Sequence, residues 1–240
     1  MAESRRDGER AVILPRIRDA PGWCYLTRAF QRFSAYVLNE WFDEQVQPRL
    51  RKISTLVRYC DDFVMLFACK EDAERVHAVL GKRLAKFGLE LHPDKTRLID
   101  FRPPCERAGT ETTLPTTFDF LGFLHVWGKS RKGNATMRQR TAKDRLARAL
   151  SVINEQCRLM RPWPLTEQHR RLCRMLKGHF AYFGISGNSK RLTAVVYWTR
   201  RLWRKWLSRR SWKSYLTWEQ FLRLVERYPL PPPRIVHRYT

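Results

Sequence analysis

Apolar positions in the first half of the chain follow helix and strand spacings in short blocks. Between residues 36 and 46 they recur every three to four positions, which predicts a helix. Residues 56–58 and 63–67 predict two short strands, and the polar segment between them predicts a hairpin. Residues 71–87 predict an amphipathic helix, with Gly88 where a C-cap is expected.

The pattern continues with short elements up to Gly128. The first 34 residues show no clear periodicity, so no regular element is predicted there. The other predictions for this half are strands at 89–91 and 96–101 around a turn, a loop at 102–117, and a hairpin of 118–123 with 124–127.

Beyond Gly128 the apolar spacing becomes helical. Composition, charge and element type change together near residues 128–135, which predicts a boundary there. The fold class is therefore α+β: antiparallel hairpins with packed helices, then an all-α basic domain. The predicted helices are 142–157, 167–183, 192–207 and 218–227, and Pro-rich residues 229–233 end the last one.

Charge divides the chain at the same place. The 240 residues carry 47 Lys and Arg against 23 Asp and Glu, a net charge of +24. Residues 129–240 hold 27 of the basic residues and five of the acids, which is +22 of that total. A basic segment with enough apolar residues to fold indicates a polyanionic partner, most often nucleic acid. An anionic membrane surface is the alternative.

The sequence gives no support for a membrane-spanning, secreted or zinc-binding protein. No stretch approaches 18 consecutive apolar residues, so no membrane span is expected. Residues 1–10 are charged and lack the apolar run of a signal peptide. The six cysteines form no CxxC pair and no cluster with His, so free thiols are expected rather than a zinc site. Free thiols suit a reducing cytosol, and a cytoplasmic protein is expected.

Asp61 and Asp62 lie at the tip of the first predicted hairpin. Adjacent carboxylates repel each other unless a cation offsets their charge. Nucleotidyl transfer uses carboxylates to hold two Mg²⁺ ions. Because successive side chains of a strand point to opposite faces, a further carboxylate would have to come from a neighbouring strand. An exposed turn without a ligand is the alternative for the bare dipeptide.

The residues around this pair resemble a known family. Val57-Arg58-Tyr59-Cys60-Asp61-Asp62-Phe63-Val64 resembles the YADD hairpin of reverse transcriptases, with Cys60 in the usual alanine place. The segments 87–96 and 118–123 follow in the order of that family. Over residues 35–240 the chain is similar to the group II intron-encoded reverse transcriptases, also called maturases.

The resemblance implies a site for nucleotidyl transfer. It makes Asp61 the catalytic, metal-binding carboxylate of a two-Mg²⁺ site and Asp62 its less essential neighbour. Tyr59 and Lys95 would lie near the incoming nucleotide, although Lys95 has a solvated turn lysine as its alternative. The implied partners are intron RNA and an RNA/DNA template-primer. The primer-grip hairpin would contain Phe120, Leu121 and Gly122.

The resemblance also divides the chain. Residues 36–128 would form a partial reverse-transcriptase palm, and 129–159 a basic linker with the first thumb helix. Residues 160–240 would form the maturase-specific helical domain, domain X, with Leu176-Lys177-Gly178-His179-Phe180-Ala181-Tyr182-Phe183-Gly184 as its signature. In the family this domain grips intron RNA and assists splicing.

Basic and aromatic side chains alternate in the second half, which suits contact with phosphates and unpaired bases. For residues 129–145 the alternative is a solvated linker. Trp198, Leu202 and Trp206 are expected to form a core stripe, and His169 and His179 are expected to be structural. The residues assigned to RNA are Lys129, Arg131, Lys132, Arg138, Arg140, Lys177, Arg200, Arg201, Arg204 and Lys205.

Two departures from the family pattern shape the expected function. A polymerase of this type needs another catalytic Asp upstream, on the strand beside the hairpin, and a fingers region before it. Residues 1–50 offer neither. Read one base further on, the codons permitted for residues 18–35 can spell a segment like the Pro-Gln-Gly region of the palm. Residues 1–35 are therefore expected to be out of frame and disordered.

The expected protein is a C-terminal fragment of such a reverse transcriptase. It would bind intron RNA to assist splicing and retromobility, without polymerase activity of its own. A separate polypeptide could supply the missing palm and fingers. The alternatives are a non-catalytic RNA-binding splicing factor built on residues 129–240, and a decayed gene remnant with no stable product.

Overall fold

The structure is a computed structural model with two compact units. Unit 1 comprises Met1–Leu121 and Val126–Met137, and unit 2 comprises Gly122–His125 and Arg138–Thr240. In the part of the chain described below, no helix is both long and apolar enough to cross a bilayer. The structure describes residues 11–14, 17–18, 35–60, 62–92, 96–104, 116–130, 132–211 and 215–238.

Unit 1 is built on an antiparallel sheet. Its first strands are β1 (Ala11–Leu14), β2 (Ile17–Arg18), β3 (Ser54–Tyr59), β4 (Asp62–Phe67), β5 (Glu90–Leu91) and β6 (Arg97–Asp100). Four of them pair in the order β3-β4-β1-β6, and β2 pairs with β5. The predicted hairpin is confirmed as β3 and β4, whose register runs from Ser54 opposite Phe67 to Tyr59 opposite Asp62.

Strand β1 lies in the segment for which the sequence predicted disorder. It pairs with β4 from Ala11 opposite Phe67, and with β6 from Ala11 opposite Asp100. A four-residue apolar run has too few positions to show a period, and its partners lie far along the chain. The prediction of disorder is therefore wrong for β1 and β2. The remainder of 1–34, including the proposed frameshift, lies outside the described residues.

Two helices and strand β4 supply most of the core of unit 1. Helix α1 (Ala35–Val46) has wide, π-type turns, and α2 (Lys70–Ala85) is a regular helix, as the spacing predicted. Gly88 ends α2 at φ +70°, and Leu89 N and Gly88 N donate to Leu84 O and Ala85 O at 3.1 Å each. These two bonds make a Schellman motif, which confirms the predicted C-cap. The fully buried core includes Val37, Leu38, Phe42, Phe63, Met65, Leu80 and Leu84.

Besides the four-stranded sheet and the β2–β5 pair there is a three-stranded sheet, which we call the second sheet, in the order β7-β8-β9. Strands β7 (Phe118–Phe120) and β8 (Phe123–Lys129) are the second predicted hairpin, and β9 (Ala135–Thr141) was not predicted. The described residues within 129–141 are therefore strand and turn rather than a linker. Strand β9 shows no apolar alternation in the sequence, because its central side chains are mostly polar or charged. Six of its seven residues lie partly or fully in solvent.

Unit 2 contains the four helices that the sequence predicted. They are α3 (Lys143–Leu159), α4 (Leu165–Phe183), α5 (Ser189–Leu207) and α6 (Trp218–Arg227). Helix α6 begins with a capping box, in which Thr217 accepts from Gln220 N and the Gln220 side chain accepts from Thr217 N. All four helices contribute to one apolar core.

Helix α5 buries a different face from the one that the spacing predicted. Trp203 is fully buried, whereas Trp198 is 45% exposed and Leu202 and Trp206 are only half-buried. Trp203 Nε1 donates to Gln168 Oε1 at 2.8 Å, which satisfies the indole inside the core. Aromatic side chains occupy several faces of α5, so spacing alone could not select the buried one.

Candidate nucleic-acid interface

The hairpin tip of unit 1 holds the first predicted site. Asp62 begins β4 opposite Tyr59, which is 63% exposed. Between them Cys60 has a positive φ of 55°. Arg58 stabilises this turn because Nη1 donates to Cys60 O at 3.1 Å while Nε donates to Asn39 Oδ1 at 3.0 Å. Asp61 lies outside the described residues.

The described carboxylates near this tip do not make up a two-metal site. On the strand beside β4, residues Ala11 to Ile13 stand opposite Phe67 to Met65, and none of the four residues of β1 carries a carboxylate. Asp100 of β6 lies at the other end of the sheet and binds the Arg102 guanidinium at 2.7 and 3.0 Å. Within the described ranges no three His, Cys, Asp or Glu side chains cluster to hold a metal.

The predicted primer-grip residues form the turn between β7 and β8. Leu121 and Gly122 both have positive φ, of 50° and 79°. A Cβ on Gly122 would approach Arg145 Cγ at 3.4 Å and Phe183 Cε1 at 3.6 Å, and Gly122 O accepts from Ala142 N at 3.0 Å. These are ordinary van der Waals distances, so the positive φ, rather than a lack of space, is what favours glycine at position 122. Phe120 is half-buried, and Lys95 lies outside the described residues.

The basic residues of the second sheet lie on β8, β9 and the turn between them. Lys129, Lys132 and Arg140 are exposed, and Arg138 is half-buried. Arg131 lies outside the described residues. The turn is fixed by Ser130 N, which donates to Asn134 O at 2.8 Å.

Helices α5 and α6 bring aromatic rings and guanidinium groups together, in what we call the cation–aromatic surface: Tyr197, Trp198, Arg201, Arg204, Tyr215 and Trp218. The Arg201 guanidinium lies 5.6 Å from the ring centroids of both Tyr197 and Trp198, and 5.8 Å from that of Trp218. Arg204 lies 4.3 Å from Trp218. The four aromatic side chains are between 43% and 74% exposed.

The cations of this surface differ in how strongly the protein holds them. Arg204 is half-buried and its Nε donates to Leu216 O at 3.1 Å, so it also ties the segment before α6 to α5. Arg201 is exposed and Nη1 donates to Tyr197 Oη at 3.0 Å. Arg200 and Lys205 are exposed on α5, as is Lys177 on α4. Arg204 therefore has a structural role beside the one that the sequence predicted.

Sequence reasoning missed several members of this region. Trp218 and Tyr215 reach α5 from the start of α6, and periodicity cannot report a contact between separate helices. Arg209, which the sequence did not single out, lies 5.5 Å from the ring of Trp206, and the predicted Lys205 lies 5.3 Å from the same ring. The one available signal was composition, since Arg, Lys and aromatic residues are concentrated in 197–218.

The histidines and thiols of unit 2 bind protein atoms or lie in the core. His169 Nε2 lies 2.9 Å from Pro229 O and 3.2 Å from Cys173 Sγ. Burial lowers the pKa of His179, whose Nε2 has no hydrogen-bond partner within the described part of the chain. Burial also raises the pKa of the Cys157 thiol to about 12, which leaves it unreactive.

Comparison with known proteins assigns the first half of the chain. Residues 28–125 match the family model described as reverse transcriptase (RNA-dependent DNA polymerase). The matched range begins inside the segment expected to be out of frame, includes the first predicted hairpin, and ends within the second. Among curated proteins, a search finds none that matches the chain. The first half of the chain is thus similar to reverse transcriptases over residues 28–125, in agreement with the resemblance of its hairpin motif.

Proposed function

We propose that this chain is a cytoplasmic relative of the group II intron-encoded reverse transcriptases that binds intron RNA and assists its splicing and mobility. The observation that carries the proposal is the cation–aromatic surface. Exposed rings separated by guanidinium groups can stack on unpaired bases while neighbouring cations contact phosphates. The family match in residues 28–125 supports the relationship. The basic character of residues 129–240 supports a polyanionic ligand.

Charge reversal at Arg201 and at the neighbouring Arg200 tests the role of the cation–aromatic surface. Arg200→Glu with Arg201→Glu should weaken binding to a structured intron RNA by at least about tenfold at 0.1 M salt, because phosphate contacts dominate affinity for RNA. Arg204 is left intact because its bond to Leu216 O stabilises the fold. The matched control is Lys82→Glu, at an exposed position of α2, with Lys86→Glu, at its exposed C-cap. Equal losses in the two double variants would mean that net charge alone drives binding.

The family match favours a second candidate, RNA-templated DNA synthesis. Residues 1–50 offer neither the further catalytic Asp nor the fingers region that the family pattern requires, so we expect no primer extension by the purified chain with Mg²⁺. The assay includes Asp61→Ala and Asp62→Ala variants. Robust incorporation that either substitution abolishes would establish a polymerase and would assign the two carboxylates to it.

A further inference from the structure

A buried glutamine side chain holds the loop between α3 and α4 in place. Gln168, which is 1% exposed, donates from Nε2 to Met160 O at 2.8 Å and to Trp163 O at 3.0 Å. Its Oε1 accepts from Trp203 Nε1 at 2.8 Å. The side-chain amide therefore fixes residues 160–163 to the buried indole of α5. A loop fixed in this way loses little conformational freedom when a ligand binds.

Arg210 fixes the same loop from the solvent side. Its Nε donates to Arg161 O at 2.8 Å, and Nη2 donates to Trp163 O. The guanidinium is thus positioned by two backbone carbonyls rather than by a carboxylate. Within the described residues neither Arg161 nor Arg210 forms an ion pair. Neither charge is therefore offset by a carboxylate of the described residues, and both can attract an anion.

Beside this loop lies an open cavity of about 540 Å³. It is lined by Arg161, Pro162, Trp163, Pro164 and Arg210. The lining contains two cations, no acid, and an indole that is 44% exposed. Prolines on both sides of Trp163 limit the backbone freedom of the segment that carries the ring. The cavity therefore combines a flat apolar surface with fixed positive charge.

We infer that this cavity binds one unpaired nucleotide of RNA, with the base against Trp163 and the phosphate between Arg161 and Arg210. The inference rests on the proposed function and deepens it by adding a single-nucleotide site apart from the cation–aromatic surface. A free inorganic anion would leave the exposed indole without a role. A proline-rich peptide would use the indole and leave two arginines without a counter-charge. A nucleotide uses both features.

Nucleotide titration tests the cavity directly. The protein is labelled with 5-fluorotryptophan, and the ¹⁹F resonance that disappears in Trp163→Phe is assigned to Trp163. Adenosine monophosphate should shift this resonance in a saturable manner. Adenosine and inorganic phosphate at the same concentration should each shift it by less than about half as much, because each supplies only one of the two contacts. A Trp163 resonance that adenosine monophosphate leaves in place would overturn the inference.

Short RNAs separate this site from the cation–aromatic surface. Arg161→Gln and Trp163→Ala should each weaken binding of a single-stranded RNA by roughly tenfold, as expected for loss of one stacked base or one charged contact. Both should leave binding of a blunt RNA duplex within about twofold. Neither substitution removes a hydrogen bond of the loop, since those bonds use backbone carbonyls. The control is Arg174→Gln, an exposed arginine of α4.

The arms of the experiment give distinct outcomes. Stronger binding of a 5′-phosphorylated strand than of a 5′-hydroxyl strand assigns the nucleotide to an RNA end, and equal binding assigns it to an internal unpaired position. Arg161→Gln and Arg174→Gln with the same effect would overturn the inference. The proposed function fails separately, when the Arg200 and Arg201 double variant keeps the affinity of the unaltered protein for structured RNA.

Discussion

Trp203 is the residue that links two parts of unit 2. Its ring is fully buried, and its Nε1 bonds to the same Gln168 that holds the α3–α4 loop. A substitution there removes apolar burial and leaves Gln168 Oε1 without a donor. The core of unit 2 and the shape of its surface loop therefore depend on the same side chain.

Trp203→Ala should lower the free energy of unfolding by about 3–5 kcal/mol, as for other large aromatic truncations in a core. Trp198→Ala is the matched control on the same helix. Its ring is 45% exposed, so we expect a loss below about 1 kcal/mol. Urea unfolding followed by circular dichroism measures both. Similar losses for the two variants would mean that α5 buries the stripe predicted by its spacing.

His179 makes stability depend on pH. Burial holds its pKa below the usual value, so the folded state takes up a proton less readily than the unfolded state. Stability from the neutral ring is therefore present above the unfolded pKa, near 6.5, and is lost as the pH falls below it. His179→Gln should reduce the fall in melting temperature between pH 7 and pH 5. His77→Gln, at an exposed position of α2, should leave that fall unchanged.

At the scale of elements, two glycines in and after α2 should respond in opposite ways to substitution by alanine. Gly88 has φ +70°, so Gly88→Ala should destabilise by about 1–2 kcal/mol through backbone strain. Gly81 lies inside the helix, where a Cβ would meet only Leu91 Cδ1 at 3.9 Å. Gly81→Ala should therefore be neutral or stabilise by up to about 1 kcal/mol. Denaturant unfolding that gave the same sign for both would contradict the Schellman motif.

Sequence reasoning succeeded for elements with a strong local signal. The β3–β4 hairpin and α3 to α6 have clear apolar periods, and their bounds agree with the structure to within three residues. It failed for β1 and β9, whose pairing is decided by distant partners, and for the buried face of α5. For the candidate site, it found the basic residues of α5 but not Trp218, because contacts between helices leave no mark on spacing.

At the scale of the whole molecule, unit 1 depends on a strand near the start of the chain. β1 lies between β4 and β6, so its removal would leave both with unpaired backbone edges. Deletion of residues 1–18 should therefore cause aggregation or loss of cooperative melting in unit 1. Deletion of residues 1–10, which spares β1, should not. Static light scattering and calorimetry measure the outcome, and equal behaviour of the two deletions would argue against the pairing of β1.

The position of β1 also sets the order in which the molecule can fold. The centre of the first sheet joins residues 11–14 to strands that end at Phe67 and Asp100. Pairings so distant in sequence form slowly, whereas the helices of unit 2 are dominated by local contacts and form quickly. During refolding from denaturant, the helical signal of unit 2 should therefore recover first, and protection of the β1 amides should appear in a later kinetic phase.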